Sequence, residues 1–188
     1  MMSERVRSFL AFDITNRLVL QRFAEVQRLL LETGADLKLV DPSNIHITLR
    51  FLGDIPLDVV DPILESMEKV SFSAFDSSVH GLGVFPSIHR ITVIWAGIEK
   101  GAQELKDVFE QLETNLRRLN FKADRKGFSP HLTLARVRGG RNKAKLVRCL
   151  QELANYDFGV VRTDCLRLKK SVLTPKGPIY STLREVCH

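Results

Sequence analysis

Short connections between strand-like segments constrain the fold of this chain more than any other feature. Residues 73–85 and 90–97 have the pattern of strands and are joined at Pro86-Ser87, while residues 158–173 and 178–186 flank a turn-forming segment. A parallel crossover needs a dozen or more residues, so these strands must pair antiparallel. Amphipathic periodicity predicts helices over residues 18–33, 56–69, 102–119 and 143–154. The fold class is therefore α+β with antiparallel sheets, in a single domain spanning residues 1–188.

Three further segments are predicted to be strands: residues 6–13, 45–52 and 130–137. The second of them alternates strictly between apolar and other residues, which is typical of a strand with one buried face. We expect the buried face to carry Ile45, Ile47, Leu49 and Phe51, and the opposite face to carry His46, Thr48 and Arg50.

The four-residue pattern H-x-T-L occurs twice. His46 and Thr48 form the first copy, and His131 and Thr133 form the second. Side chains two residues apart on a strand point to the same face, so each histidine lies beside its threonine. Two H-x-T matches arise by chance in roughly 2% of such sequences. One copy would be typical of a structural histidine, whereas the pair favours a functional site.

Two histidines and two threonines facing one cleft suit phosphoryl transfer. One neutral imidazole can accept a proton while a charged one donates a proton. The threonine hydroxyls can donate hydrogen bonds to the non-bridging phosphate oxygens. The nearest acids, Asp41, Asp54 and Asp124, do not form a metal-ligand cluster with the histidines in the sequence. We therefore expect a reaction that uses no metal and no cofactor.

The charge of the chain is concentrated in one segment. The net charge is +6, but residues 117–148 contain eleven basic residues and one acid, Asp124, so this segment is +10 and the remainder is −4. A segment that basic suits a polyanion such as RNA. The alternative, a solvated surface that balances acids elsewhere, stays open.

Several features predict a cytoplasmic protein. The start of the chain lacks the apolar run of a signal peptide, and no segment approaches the ~18 apolar residues of a membrane span. The three cysteines, Cys149, Cys165 and Cys187, are odd in number and form no C-x-x-C pair. We expect all three to be reduced thiols that pack as small apolar residues. We also expect a monomer with no membrane partner.

With their flanks, the two motifs resemble the 2H phosphoesterase superfamily, which is named for two H-x-[ST] motifs. Within it the match is to the RNA 2′,3′-cyclic phosphodiesterase family, also called the 2′-5′ RNA ligase family. The segments that carry the resemblance are residues 7–12, 44–53, 83–87, 93–97, 128–136, 171 and 177–180.

The resemblance implies a bilobal fold with pseudo-twofold symmetry, in which each lobe gives one motif to a central cleft. It implies hydrolysis of RNA 2′,3′-cyclic phosphate ends, on tRNA fragments, other RNAs or nucleotides, to 2′-phosphomonoesters, a step of RNA processing. His46 matches the proton donor and His131 the proton acceptor. Thr48, Thr133 and Arg136 match phosphate-binding residues.

The geometry of Arg136 and the nature of the substrate stay open. By strict alternation Arg136 lies on the face opposite His131, so it reaches the phosphate only if the strand bulges or ends before it. Phe9 and Tyr180 either stack on a base or belong to the core. The alternatives to RNA hydrolysis are the reverse 2′-5′ ligation, hydrolysis of a small cyclic nucleotide, and an RNA-binding module whose histidines carry no chemistry.

Overall fold

A computed structural model gives the fold and describes residues 4–125 and 127–188. Met1, Met2, Ser3 and Lys126, the last counted above in the basic segment, lie outside the described residues. The helices are α1 (Arg17–Glu32), α2 (Val60–Glu68), α3 (Ala102–Arg118) and α4 (Lys143–Glu152). The strands are β1 (Arg5–Asp13), β2 (Leu37–Leu39), β3 (His46–Pro56), β4 (Phe75–Ser87), β5 (Arg90–Ile98), β6 (His131–Val137), β7 (Asp157–Thr163), β8 (Cys165–Thr174) and β9 (Gly177–Cys187).

The strands form one nine-stranded sheet, and its strand pairs are antiparallel. The order is β7-β4-β5-β6-β3-β1-β8-β9, and β2 also pairs with β6. The two motif strands, β3 and β6, are therefore neighbours at the centre, with three strands outside each of them. The predicted α+β class is confirmed, and the two halves related by the pseudo-twofold share one continuous sheet.

The helices cover one face of this sheet and connect distant parts of the chain. Helices α1 and α4 pack together, and α1 lies on β6 and β7. Helices α2 and α3 pack together, with α2 on β9 and α3 on β3. Helix α1, with α4 beside it, therefore covers the half of the sheet that contains β6 and β7, and helices α2 and α3 cover the half that contains β3 and β9. No helix in the described part of the chain has the length and apolarity to cross a membrane.

Helix α1 shows why the predicted elements form where they do. The side chain of Asn16 caps its first turn by accepting hydrogen bonds from the Leu18 and Val19 amides. Its apolar stripe, including Phe23 and Leu30, is buried in the core. The helix ends before Gly34, whose φ of 71° is the left-handed conformation that glycine tolerates best.

Two predicted boundaries were wrong, and one strand was not predicted. The single strand expected over residues 158–173 is two strands, β7 and β8, separated at Asp164. The helix expected from Pro56 begins at Val60, because Pro56 still belongs to β3 and a 3₁₀ turn over Leu57–Val59 intervenes. Strand β2 was missed, since its three residues are too few to show alternation.

The prediction that all cysteines are reduced thiols was also wrong. Cys165 and Cys187 form a disulfide, because the β8–β9 pairing places them directly opposite each other with their Cα atoms 4.0 Å apart. The two residues are 22 positions apart in the sequence, so no local motif marks the pair. Cys149 is a free, half-buried thiol, and burial raises its pKa.

Candidate active site

The two H-x-T-L motifs meet at the centre of the sheet. Strands β3 and β6 pair antiparallel with Ile47 opposite Leu132, and both of these side chains are fully buried in the core. Residues adjacent to a paired residue point to the other face of the sheet. We call that side, which carries His46, Thr48, His131 and Thr133, the motif face. The β3–β6 pairing therefore brings the two motifs together on one face.

The antiparallel register gives the four side chains an approximate twofold arrangement. The residues next to the Ile47–Leu132 pair face each other in the antiparallel register: His46 lies across from Thr133, and Thr48 lies across from His131. The two histidines are then diagonal neighbours, for which Cβ atoms lie somewhat less than ~7–8 Å apart. Both threonines are half-buried.

Both imidazole rings are held in the same way. The Nδ1 atom of His46 lies 2.7 Å from the carbonyl oxygen of Asn44, and the Nδ1 atom of His131 lies 2.7 Å from that of Ser129. A carbonyl can only accept, so each Nδ1 carries the proton and donates it. The neutral rings therefore present an unprotonated Nε2, which is the atom free to exchange protons with a substrate.

Burial lowers the pKa of both histidines below the ordinary value of 6.5. For His131 the hydrogen bond to Ser129 acts in the opposite direction. For His46 the hydrogen bond to Asn44 and the charge of Asp13 raise the pKa, whereas the charges of Lys169 and His131 lower it. Both rings are consequently biased to the neutral form at pH 7, and His46 has a carboxylate that favours its protonated form.

The strand containing the second motif bulges, and the bulge turns Arg136 toward the motif face. Trp95 pairs with Thr133 and Ile94 with Ala135, so Leu134 is an extra residue on β6. Arg136 then lies on the same face as Thr133. Its charge reaches Tyr180, where it counteracts the burial that raises the pKa of that phenol. Strict alternation had placed Arg136 on the opposite face unless the strand bulged, and the strand does bulge before this residue.

A buried glutamine on helix α1 holds this bulge. The Nε2 atom of Gln27 donates to the carbonyl oxygens of Leu134, at 2.9 Å, and Val40, at 2.8 Å. The Val40 amide also donates to the Leu134 carbonyl. Gln27 is 4% exposed, so these bonds are made away from solvent. Gln27 could not be identified from the sequence, because a single glutamine on a helix forms no motif.

A second bulge overturns two predictions for the first motif. Ala11 pairs with Thr48 and Leu10 with Arg50, so Leu49 is an extra residue on β3. Arg50 is thereby turned off the motif face to the helix side, where it pairs with Glu113 and also with Asp124. The next residue, Phe51, is turned the other way and is 61% exposed instead of buried.

Aromatic and charged side chains surround His46. Phe9 is 2% exposed, but its ring lies 4.9 Å from the rings of both His46 and Tyr180. Asp13 is the cross-strand partner of His46. Its carboxylate lies 2.7 Å from Nζ of Lys169. No motif marks Asp13, which is a lone acid at the end of strand β1.

One group of possible metal ligands occurs in residues 4–125 and 127–188, formed by Cys165, Glu185 and Cys187. Both sulfur atoms belong to the disulfide and are not thiolates. The carboxylate of Glu185 pairs with Arg167 at 3.0 Å. This group therefore lacks the free ligands that a metal ion requires, and it lies outside the motif pair.

Comparison with known proteins matches most of the chain to one family. The family model described as LigT like Phosphoesterase matches residues 15–95 and 97–180. A curated relative from Aeropyrum pernix, named RNA 2′,3′-cyclic phosphodiesterase, is 39% identical over 165 residues, covering 88% of this chain and 94% of the relative. A relative of the same name from Methanothermobacter thermautotrophicus is 35% identical over 182 residues, covering 95% of this chain and 97% of the relative.

Solved structures share the fold. The protein TT0787 of Thermus thermophilus superposes with a TM-score of 0.79 at 26% identity, covering 96% of this chain and 97% of that one. Escherichia coli LigT in complex with 3′-AMP superposes with a TM-score of 0.76 at 18% identity, covering 98% of each chain. The latter likeness shows the arrangement of strands and helices alone.

Proposed function

Since the chain belongs to the family of LigT-like 2H phosphoesterases, we propose that it hydrolyses RNA 2′,3′-cyclic phosphate ends to 2′-phosphomonoesters. The observation that carries the proposal is the pair of identically held histidines. Each donates Nδ1–H to a backbone carbonyl, and the two flank a single cross-strand pair at the centre of the sheet. The curated relatives' names favour hydrolysis of an RNA end over the alternative chemistries.

In the proposed reaction, Nε2 of neutral His131 takes a proton from water while the water oxygen attacks phosphorus in line with O3′. The P–O3′ bond breaks, and Nε2–H of protonated His46 gives its proton to the departing O3′. The product carries a 2′-phosphate and a free 3′-hydroxyl. The same steps with a 5′-hydroxyl entering in place of water, while the P–O3′ bond breaks, form a 2′-5′ linkage; the reverse steps, in which the 5′-hydroxyl leaves, cleave that linkage.

The remaining groups stabilise the charge that develops on the phosphate. The hydroxyls of Thr48 and Thr133 donate to the two non-bridging oxygens, one from each strand. Arg136, turned to the motif face by the bulge, supplies a guanidinium that can bind these oxygens with two parallel hydrogen bonds. These groups and the two imidazoles account for every proton and charge in the step, so the proposal includes no metal or cofactor.

The test is turnover of a short RNA with a 2′,3′-cyclic phosphate end, in EDTA, followed by phosphorus NMR. We expect the wild-type protein to form the 2′-phosphomonoester, and His46→Ala and His131→Ala to be slower by about 10²–10⁴-fold, because each removes one proton-transfer group. His89→Ala, which removes an exposed histidine outside the motifs, is the matched control and should retain full activity. Equal turnover by all four proteins would reject the mechanism in favour of an RNA-binding role.

Three finer points are part of the same proposal. The substrate is an RNA end, including the ends of tRNA fragments, and the +10 segment is the feature of the chain that supports it. Residues 1–188 act together as one unit and as a monomer, which analytical ultracentrifugation would test. Cell fractionation would test the cytoplasmic location.

A further inference from the structure

A cavity of about 410 Å³ lies beside the second half of strand β3, at the sheet edge where Phe51 on the motif face and Arg50 on the helix side both line it. Strand β3 pairs with β6 only at Ile47, so the edge beyond Leu49 is not covered by β6. The cavity lies along this edge and reaches the segment that follows helix α3. Its lining combines aromatic rings and cations: Phe51, Phe121, Arg5 and Lys122.

The cavity is connected to His46 through a row of rings. The bulge at Leu49 turns Phe51 to the motif face, where it pairs across the strands with Phe9. The Phe9 ring lies 5.9 Å from the Phe51 ring and 4.9 Å from the His46 ring. An exposed phenylalanine next to a phosphate-binding site offers a stacking surface for an unpaired base.

The charges around the cavity favour a phosphate chain. Arg5 and Lys122 are exposed, and Arg117, Arg118 and Arg125 are exposed in the adjoining segment. Arg50, which also lines the cavity, is neutralised by Glu113 and Asp124. The opposing charge in the lining is the exposed carboxylate of Asp54, and the Arg5 guanidinium donates to the backbone carbonyl of that residue. Cations therefore outnumber acids at this end of the sheet.

An RNA with a 2′,3′-cyclic phosphate has chain only on the 5′ side of the reacting nucleotide. We propose that the cavity beside β3 binds the nucleotide immediately upstream of the one that carries the cyclic phosphate, with its base stacked on Phe51 and its phosphate held by Lys122 and Arg5. This inference rests on the proposed function and extends it to chain-length specificity. It makes an oligonucleotide a better substrate than a cyclic mononucleotide.

An RNA chain could leave the site in two directions, along the cavity beside β3 or past β2 and the end of β6. Arg138 is exposed at the end of β6. That end is basic as well, so charge alone does not choose between the two directions. The exposed aromatic ring and the adjoining cavity are found at the Phe51 end. Arg138→Ala is therefore the matched control, since it removes one positive charge from the opposite exit.

The experiment compares kcat/KM for adenosine 2′,3′-cyclic phosphate and for a pentaribonucleotide ending in a 2′,3′-cyclic phosphate. Stacking on one ring is typically worth 1–3 kcal/mol, so Phe51→Ala should lower kcat/KM for the pentanucleotide by roughly 5- to 150-fold. The same variant should keep kcat/KM for the mononucleotide within about 2-fold of the wild-type value, because a mononucleotide leaves the upstream subsite empty. Lys122→Ala should follow this pattern with a smaller loss and a weaker salt dependence. Phe51→Leu, which keeps an apolar side chain without the aromatic face, should resemble Phe51→Ala.

Two outcomes would overturn the subsite. Equal losses on both substrates would place Phe51 in the pocket for the terminal nucleotide, and a selective loss in Arg138→Ala alone would direct the RNA chain to the opposite exit. Absence of turnover of both substrates by the wild-type protein would reject the proposed function itself. In that case titration with the pentanucleotide bearing a 2′-phosphate would still report on the subsite, since Phe51→Ala must weaken its binding and not that of 2′-AMP.

Discussion

Replacing Gln27 by methionine tests how the core positions the active site. The Gln27 amide holds the Leu134 and Val40 carbonyls together, and Leu134 is the extra residue that turns Arg136 to the motif face. Methionine has a similar volume and packs in the same helix position, but it cannot donate a hydrogen bond. The variant therefore removes the donor while keeping the apolar packing.

The loss of stability follows from the two hydrogen bonds. Each contributes about 0.5–1.5 kcal/mol net, and a buried acceptor that loses its donor costs about 1–3 kcal/mol. The Leu134 carbonyl keeps the Val40 amide as a donor. The Val40 carbonyl is the acceptor that loses the Gln27 amide. We expect Gln27→Met to lower the free energy of unfolding by about 2–3 kcal/mol, measured by urea denaturation.

The catalytic readout separates positioning from general destabilisation. A bulge that relaxes moves Arg136 away from the phosphate, so KM for the cyclic phosphate should rise at temperatures where the variant is fully folded. If Gln27 acts through Arg136, then Gln27→Met should cause no further loss of kcat/KM in an Arg136→Met background. Additive losses in the double variant, or a stable and fully active Gln27→Met protein, would refute this account of the bulge.

Three further substitutions should each change the pH profile or the stability in a direction that follows from the structure. Asp13→Asn removes a charge that raises the pKa of His46, so the alkaline limb of the kcat/KM profile should move to lower pH, and a shift to higher pH would contradict the proposed contact. Arg50→Met leaves the carboxylate of Glu113 buried without its partner; we expect a loss of about 3–5 kcal/mol in urea unfolding, with little change in kcat for folded protein, because Arg50 lies on the helix side. Cys165→Ser opens a 22-residue loop and should lower the free energy of unfolding by about 3 kcal/mol under oxidising conditions; an unchanged value under those conditions would show that the disulfide contributes nothing.

Much of the site could be predicted from the sequence because alternation on a strand determines which side chains share a face. Alternation alone predicts that His46 shares a face with Thr48, and that His131 shares a face with Thr133. The short strand connections required antiparallel pairing, and the central position of both motif strands agrees with the two-lobed arrangement that the resemblance implied. The shared faces and the antiparallel pairing depend on local geometry alone.

The parts that could not be predicted depend on contacts between distant segments. The bulges at Leu49 and Leu134 break the alternation, and they appear only in the register with β1 and β5. For this reason Arg50 lies on the helix side, and Phe51 and Arg136 lie on the motif face. The disulfide likewise depends on a strand register, and Asp13 meets His46 only through β1–β3 pairing. Sequence parity fails wherever one strand carries an extra residue.

The dependence of kcat/KM on pH tests the two-histidine mechanism most directly. His131 must be neutral, so activity falls as pH drops through its pKa; His46 must be protonated, so activity falls as pH rises through its pKa. Burial lowers the pKa of both rings, which places the alkaline decline of the free enzyme below the ordinary histidine value of 6.5.

Chemistry should first be shown to be rate-limiting for the RNA 2′,3′-cyclic phosphate. The account predicts a bell-shaped profile for the wild-type protein, the loss of the alkaline limb in His46→Ala, and the loss of the acid limb in His131→Ala. A profile that stays flat from pH 5 to 9, or variants that keep both limbs, would contradict the assignment of proton transfer to these two histidines.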